Sequence, residues 1–424
     1  MGLRDMLADT RPLKNPYFRR LWLANIVTVI GAQLTVVTVP AQLYAETGSS
    51  AYVGLTGVFG LVPLVIFGLY GGALADAFDR RTILQITTVG LIVTSGLFCV
   101  QAVLGSANPW VLLTIFAVQQ AFFGVNQPTR SAVLPRLLDP ATLPAGNSLN
   151  YTVMQAGAIA GPLVAGVLIP FTGFAWLYFI DTLSLFATLY AVIRLPRLPI
   201  DGPVVNPGIR SVIDGFVYLK RQPVLLMSFL VDIIAMVFGM PRALFPEQAH
   251  VNFDGPSDGG IVFALLFAAI PAGAVVGGIF SGWISRVSRQ GLAVVWCIVI
   301  WGVAIIVYGV AVSLASHAWL LMLIIALVAL AIGGAADMAS ASMRTSMLQS
   351  AADDAVRGRL QGVFTVVVAG GPRVADTLHG AVAVSVGASA AAAGGGMLVV
   401  VGVVIASLVV PSFVRYRVVR PIEV

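Results

Sequence analysis

The chain has 424 residues, of which 58% are hydrophobic and only 10% are charged, and its formal net charge is +6. A soluble domain carries about 25% charged residues, so this composition excludes a water-soluble globular protein. The two cysteines, Cys99 and Cys297, both lie inside apolar runs, which argues against a disulfide framework.

Apolar stretches follow one another along the chain, and each has roughly the 20 residues that a helix needs to cross a bilayer. We predict twelve transmembrane helices at 21–44, 51–75, 83–105, 109–128, 151–172, 174–193, 223–246, 260–284, 291–314, 318–338, 361–385 and 386–410. The predicted fold class is an all-α membrane protein, because a helix satisfies its own backbone hydrogen bonds within the lipid.

Basic residues concentrate in alternate loops between the predicted helices. Of the 24 lysine and arginine residues, all but Arg242 and Arg373 fall on one side of the membrane, with Arg130 and Arg344 assigned to loops on that side. Because positively charged loops stay in the cytoplasm, we predict a multi-pass protein of the cytoplasmic (inner) membrane with both termini inside. The basic residues are dispersed over short loops, so we expect no nucleic-acid partner.

A polar stretch in the middle of the chain separates six predicted helices from six. We therefore predict an N-terminal bundle at 1–193, a cytoplasmic linker at 194–222 and a C-terminal bundle at 223–424. The halves repeat each other at an offset of about 210 residues, since Gly161-Pro162 corresponds to Gly371-Pro372. Such a repeat predicts two pseudo-symmetric six-helix bundles that rock about a substrate site near the bilayer midplane.

Two glycine-containing motifs carry a family resemblance. The stretch from position 71 to 81 resembles the loop 2–3 motif of the major facilitator superfamily, and the stretch 157–166 resembles the span-five motif of its drug:proton antiporter branch. The gating residues that this resemblance implies are Gly72, Asp76, Asp79, Arg80, Arg81 and Arg130. The antiporter-like motif comprises Gly157, Gly161, Pro162 and Gly166. Stretches at 240–247, 268–278, 345–349 and 358–362 resemble siderophore exporters within the same branch.

The resemblance implies a secondary active transporter that uses a proton gradient and no cofactor. It also implies that Asp76 closes the cytoplasmic side by interacting with the amino terminus of span eleven near Gln361. A carboxylate in that position stabilises a helix through the helix dipole. The antiporter-like motif favours export over import.

Ionisable residues inside a bilayer are costly, so they usually mark a pathway or are paired. Arg373, Asp376 and His379 share one face of span eleven, because they are three and six residues apart. A carboxylate whose arginine partner moves away takes up a proton more readily, and histidine titrates near neutral pH. We predict that these three residues and Asp232 in span seven carry proton coupling, with Asp376 first; a permanent ion pair between helices is the alternative.

Two further acids receive structural interpretations. Asp181 in span six is expected to make a hydrogen bond between packed helices. Asp337 is expected at the membrane interface, at the cytoplasmic end of span ten.

Polar and aromatic side chains on the expected cavity helices are candidates for substrate contact. They are Asn25, Gln33, Gln119, Gln120, Phe123, Asn126 and Met236. Amides beside aromatic rings suit a sizeable amphiphile, whereas the sequence contains no nucleotide loop, catalytic triad or metal-ligand spacing. We therefore predict no enzyme and no metal, but a monomeric exporter of a siderophore or a hydrophobic drug-like molecule, working in the lipid bilayer by proton antiport with alternating access. The alternatives are an importer or uniporter of a small metabolite and a transport-dead membrane sensor.

Overall fold

The computed structural model describes residues 9–139, 142–196, 219, 222–351 and 354–417. Within these ranges, the description omits the side chains at 69–77, 144, 285–286, 348–351 and 354–369. The predicted linker 194–222 thus lies almost wholly outside the described residues.

Contacts between residues divide the chain into two compact units. The first unit comprises Met1–Gln42 and Val62–Gly208, and the second comprises Leu43–Leu61 and Ile209–Val424. The second unit therefore includes the end of the first helix and the start of the second helix.

Eleven long helices make up most of the described chain, and no β-strand occurs in the described ranges. They are α1 (Pro16–Thr47), α2 (Ser50–Ala77), α3 (Arg80–Val103), α4 (Pro109–Leu137), α5 (Leu143–Ile193), α6 (Pro223–Gly239), α7 (Ile261–Ile279), α8 (Gln290–Ser313), α9 (Trp319–Ala351), α10 (Asp354–Val386) and α11 (Ala388–Val409). Ten helical segments of the described chain are long and apolar enough to cross a membrane.

Helix α5 has 51 residues and is interrupted at Gly173, whose φ of 72° and ψ of 176° are not helical. Glycine adopts this backbone conformation without the steric cost that a Cβ atom would bring. The interruption separates the two spans that the sequence predicts at 151–172 and 174–193. With α5 supplying two segments, the eleven helices correspond to the twelve predicted spans, and the predicted all-α membrane fold is confirmed.

Helix α6 ends at Gly239, seven residues before the predicted end of span seven. The residue that precedes Pro241 is disfavoured in the helical conformation, which explains the early end. The chain continues through the short helical turns Arg242–Leu244, Phe245–Glu247 and Gln248–Asn252. We call Arg242–Asn252 the α6–α7 segment.

The core of each unit is built from helices that pack along their apolar faces. In the first unit, Phe18, Leu84, Val133 and Leu149 from four helices belong to one buried cluster. In the second unit, α8 packs against α9 and α11. Trp301 on α8 is buried there and donates a hydrogen bond to the Ala235 carbonyl of α6, at 3.2 Å.

The structure corrects the prediction for two charged residues near predicted span ends. Arg130 lies inside α4 and Arg344 lies inside α9, although both are predicted in loops. Asp337 lies within α9, which continues to Ala351, and its place at the membrane interface stays a prediction. The predicted spans stop where hydropathy falls, but a helix can continue through charged residues that find partners in the fold.

Candidate functional site

Helices α6 and α9 of the second unit bring a buried ion pair together. An Nη1 atom of Arg344 lies 2.6 Å from an Oδ1 atom of Asp232, and the two side chains are only 5% and 3% exposed. The Nε of Arg344 also donates to the hydroxyl of Ser340, at 3.2 Å. The second carboxylate oxygen of Asp232 is buried and has no hydrogen-bond partner within the described part of the chain.

A second carboxylate belongs to the same group. Asp337 lies seven residues before Arg344 on α9, so the two residues share a helix face. The charges of Arg344 and Asp232 both act on Asp337. Asp337 itself is half-buried, and if both acids were ionised, this group of two carboxylates and one arginine would keep a net negative charge. Burying such a charge away from water is costly. We call Asp232, Asp337 and Arg344 the buried charge group.

The predicted face of span eleven exists on α10, but it has an additional partner. Arg242 of the α6–α7 segment lies 3.6 Å from Asp376, whose side chain is 13% exposed. The charges of Arg373 and His379 also act on Asp376. His379 is buried, and its Nδ1 lies 3.0 Å from the carbonyl oxygen of Ala375. Around Asp376 the arginines outnumber the carboxylates, the reverse of the buried charge group.

The first turns of α2 pack closely on α10 beside this cluster. A Cβ atom built on Gly54 would lie 2.7 Å from the backbone oxygen of Asp376 and 3.0 Å from the Cα of Gly380. Thr377 donates to the Gly54 carbonyl at 3.1 Å. Ser50, at the start of α2, donates to the carboxylate of Glu247. Asp376 therefore lies where α2 and α10 are held together within the second unit.

Three of the predicted gating residues, Asp79, Arg80 and Arg81, make hydrogen bonds to the backbone of helices in the first unit. Asp79 is the N-cap of α3 and accepts a hydrogen bond from the backbone N–H of Arg81, at 3.1 Å. Arg81 donates to the carbonyl of Ile193 at the end of α5, at 2.7 Å. Arg80 donates to the Ala132 carbonyl of α4, at 3.4 Å. The side chain of Asp76, the position Gly72 and the contact predicted near Gln361 lie outside the described side chains.

The antiporter-like motif packs α5 tightly against α1. A Cβ atom on Gly157 would lie 2.3 Å from a side-chain carbon of Val29, and one on Gly161 would lie 2.3 Å from the Cβ of Gln33. Pro162 and Gly166 are buried on the same helix. The two glycines, spaced by four residues, allow the backbones to approach closely, as small residues do between membrane helices.

We expect Gly161→Ala to destabilise the first unit by about 1–3 kcal/mol, because the neighbouring Cβ is fixed to the backbone of α1 and cannot move aside. Gly96→Ala on α3 is the matched control, since no atom lies within 4 Å of its added Cβ. In a helix this control substitution should gain about 0.5–1 kcal/mol. Thermal unfolding of the purified variants measures both changes, and equal stability would contradict the packing role.

The predicted substrate-contact residues lie in both units. Asn126 on α4 donates to the hydroxyl of Thr87 on α3, at 2.8 Å, so it connects two helices of the first unit. Met236 is buried in the second unit, where its side chain faces Gly371. Asn25, Gln119 and Gln120 are buried, Gln33 is half-buried and Phe123 is exposed. Their contact with substrate stays a prediction.

The sequence pattern predicts neither the pairing of Arg344 nor that of Arg242. It predicts a loop at Arg344, because this residue follows the end of the apolar run. Its spacing of seven residues from Asp337 was the available signal, since this spacing places both on one face of an extended helix. For Arg242 no comparable signal exists, because its partner lies on a distant helix. Among the described residues, no group of three His, Cys, Asp or Glu side chains could hold a metal ion.

Comparison with known proteins identifies relatives over almost the whole chain. A family model described as a transmembrane secretion effector matches residues 8–415. The enterobactin exporter EntS of Shigella boydii serotype 18 is 26% identical over 385 residues, which are 90% of this chain and 88% of that protein. The enterobactin exporter EntS of Escherichia coli O139:H28 is also 26% identical, with the same coverage.

Solved structures share the fold at much lower identity. The nucleoside transporter NupG is 12% identical with a TM-score of 0.71, and the match covers 94% of this chain and 98% of NupG. A D-xylose-proton symporter is 13% identical with a TM-score of 0.71, covering 92% of this chain and 97% of that chain. These likenesses concern the fold alone.

Proposed function

Because the chain belongs to the transmembrane secretion effector family of the major facilitator superfamily, we propose that it exports a siderophore across the cytoplasmic membrane. The observation that carries this proposal is the 26% identity to enterobactin exporters, which extends over 90% of the chain. Hydrophobic drug-like molecules are the second substrate class. Its relatives are transporters, so the proposal includes neither an enzymatic activity nor a cofactor.

The proposed energy source is a proton gradient, and the buried charge group is the proposed site of coupling. One arginine balances one of the two carboxylates, so the binding of one proton would make the group neutral. Loss of that proton would leave a net negative charge in an apolar interior. Deprotonation would therefore favour a conformation in which the group meets water, and this links proton binding to a change of conformation.

Asp376 is the second candidate for coupling. Arg242, Arg373 and His379 lie around it, so cationic groups balance its charge, whereas the buried charge group has one arginine for two carboxylates. In the proposed mechanism, Asp376 instead stabilises the packing of α2 on α10.

The membrane arrangement is also part of the proposal. The chain is a multi-pass membrane protein, and the charge pattern supports a cytoplasmic location for both termini. We propose that it works as a monomer, with the small-molecule substrate and the bilayer as its partners.

Everted membrane vesicles with an acidified interior test the transport proposal, with radiolabelled enterobactin as the probe. We expect the vesicles to accumulate the label, and an uncoupler to abolish the accumulation. Vesicles that lack the protein are the control. Equilibration without accumulation would indicate a uniporter, whereas accumulation only in right-side-out vesicles would indicate an importer. A protein that moves neither enterobactin nor any member of a hydrophobic drug panel would fit a membrane sensor and would contradict the proposal.

A further inference from the structure

Asp181, on the second segment of α5, is a buried acid that has no cationic partner among the residues that the structure describes. The residue is 2% exposed. One carboxylate oxygen, Oδ2, accepts hydrogen bonds from the hydroxyls of Thr35 on α1, at 2.7 Å, and Ser95 on α3, at 2.8 Å. The other oxygen, Oδ1, is buried and has no hydrogen-bond partner in the described part of the first unit. It faces Gly31, where an added Cβ would lie 2.9 Å away.

No charged or titratable group described on α1, α3 or α5 balances the charge that an ionised Asp181 would carry. In the described part of the first unit, its carboxyl group is buried and accepts the two hydroxyl hydrogen bonds, and no charged side chain interacts with it. The other groups on α1, α3 and α5 that bear charge or can titrate are Tyr17, Arg19, Arg20, Tyr44, Glu46, Arg80, Arg81, Cys99, Tyr151, Tyr178 and Tyr190. Of these, Tyr178 lies one turn away and its hydroxyl donates to Gln42 instead.

An ionised carboxylate in this position would carry its charge with one oxygen unsolvated, which is strongly unfavourable in a low-dielectric interior. A bound metal cation would relieve the charge only if the surrounding oxygens left space for it. Both hydroxyls approach Oδ2 at 2.7–2.8 Å, the distance of a direct hydrogen bond. Protonation therefore satisfies this arrangement better than a cation does.

We propose that Asp181 is a proton-binding site of the first unit, at which the carboxyl group holds a proton while Thr35 and Ser95 orient it between α1, α3 and α5. The site is separate from the buried charge group, which lies in the second unit. It does not depend on the proposed transport function.

A buried polar network extends from this site along α3 and α5. The hydroxyls of Ser95 and Thr182 lie 3.3 Å and 2.8 Å from the backbone oxygen of Tyr178. The phenol of Tyr178 donates to Gln42 at 2.9 Å, and Gln42 donates to Gln101 at 3.0 Å. Gln101 in turn donates to the carbonyl of Ser106, in the loop between α3 and α4, at 2.7 Å. These contacts place polar groups between the helices on the side of Asp181 that leads to this loop.

Infrared spectroscopy of the full-length protein in lipid vesicles tests the site directly. At mildly acidic pH, we expect the wild-type protein to show the carbonyl band of a protonated carboxyl group that is missing in Asp181→Asn. Asparagine has nearly the same shape as the neutral acid, so the variant should fold. Asp139→Asn is the matched control, because Asp139 is exposed at the end of α4 and its replacement should leave the band unchanged.

Ser95→Ala is a second variant that keeps Asp181 in place. Loss of the Ser95 hydrogen bond should shift the frequency of the band without removing it, an effect that a merely structural role of Ser95 would not produce. The proposal would be overturned if the wild-type and Asp181→Asn spectra did not differ in the region of this band. It would also be overturned if the Ser95→Ala band kept the wild-type frequency. A band that disappears when sodium ions replace a large organic cation would overturn it in favour of a cation site. Enterobactin transport is not measured in these experiments, so their outcome is independent of the proposed function.

Discussion

Replacement of Arg344 by glutamine is expected to lower the free energy of unfolding by about 3–5 kcal/mol, the usual cost of removing one partner from a buried ion pair. Asp232 would keep its carboxylate in an almost water-free environment, with Arg344 no longer 2.6 Å away. Asp337 would also lose the charge of Arg344, which favours its ionised form. The whole second unit should be affected, because α6 and α9 are both part of its core.

Thermal unfolding of the purified protein measures this effect, as a fall of about 10 °C in the apparent melting temperature. Arg289→Gln is the matched control, since Arg289 is exposed before α8 and should cost less than about 0.5 kcal/mol. The double variant Arg344→Gln with Asp232→Asn should recover much of the lost stability, because it removes the unpaired charge. If the double variant is as unstable as Arg344→Gln alone, the loss does not come from an uncompensated carboxylate.

Asp232→Asn is expected to abolish gradient-driven accumulation of substrate while downhill movement of the substrate continues. The variant removes an acid that we propose to share one proton with Asp337, so the conformational change would no longer depend on protonation. Asp337→Asn should also lose coupling, yet remain at least as stable as the wild type, because one carboxylate then faces one arginine. Asp376→Asn should slow transport and preserve coupling.

Proton release from energised everted vesicles on addition of substrate, followed with a pH-sensitive dye, distinguishes these outcomes. Asp139→Asn controls for the removal of an exposed acid. If only Asp376→Asn lost coupling, the coupling site would be the face of α10 that carries Arg373, Asp376 and His379, as the sequence predicts. Normal coupling in all three variants would exclude both clusters, and the proposed proton antiport would have to be assigned to other groups.

Many features of the fold follow from local properties that a linear sequence contains. Long apolar runs indicate membrane helices, because each helix completes its hydrogen bonds within its own segment and needs no distant partner. A break near Gly173 also follows from the sequence, because two successive spans require a turn between them. The close packing at Gly157 and Gly161 was also visible, because small residues four apart lie on one helix face.

The partners of the buried charges were decided by tertiary structure. Thr35 and Asp181 are 146 residues apart in the chain, and no spacing rule relates them. The sequence predicts a loop at Arg344, because a charged residue lowers the hydropathy of its segment. In the fold, the ion pair with Asp232 offsets the free-energy cost of burying the arginine. Likewise, Asp376 and Arg373 share a helix face that the sequence predicts, but Arg242 reaches Asp376 only because α6 ends early. Periodicity within one helix shows which residues lie together on a face, and only the packing of helices decides which charges that face meets.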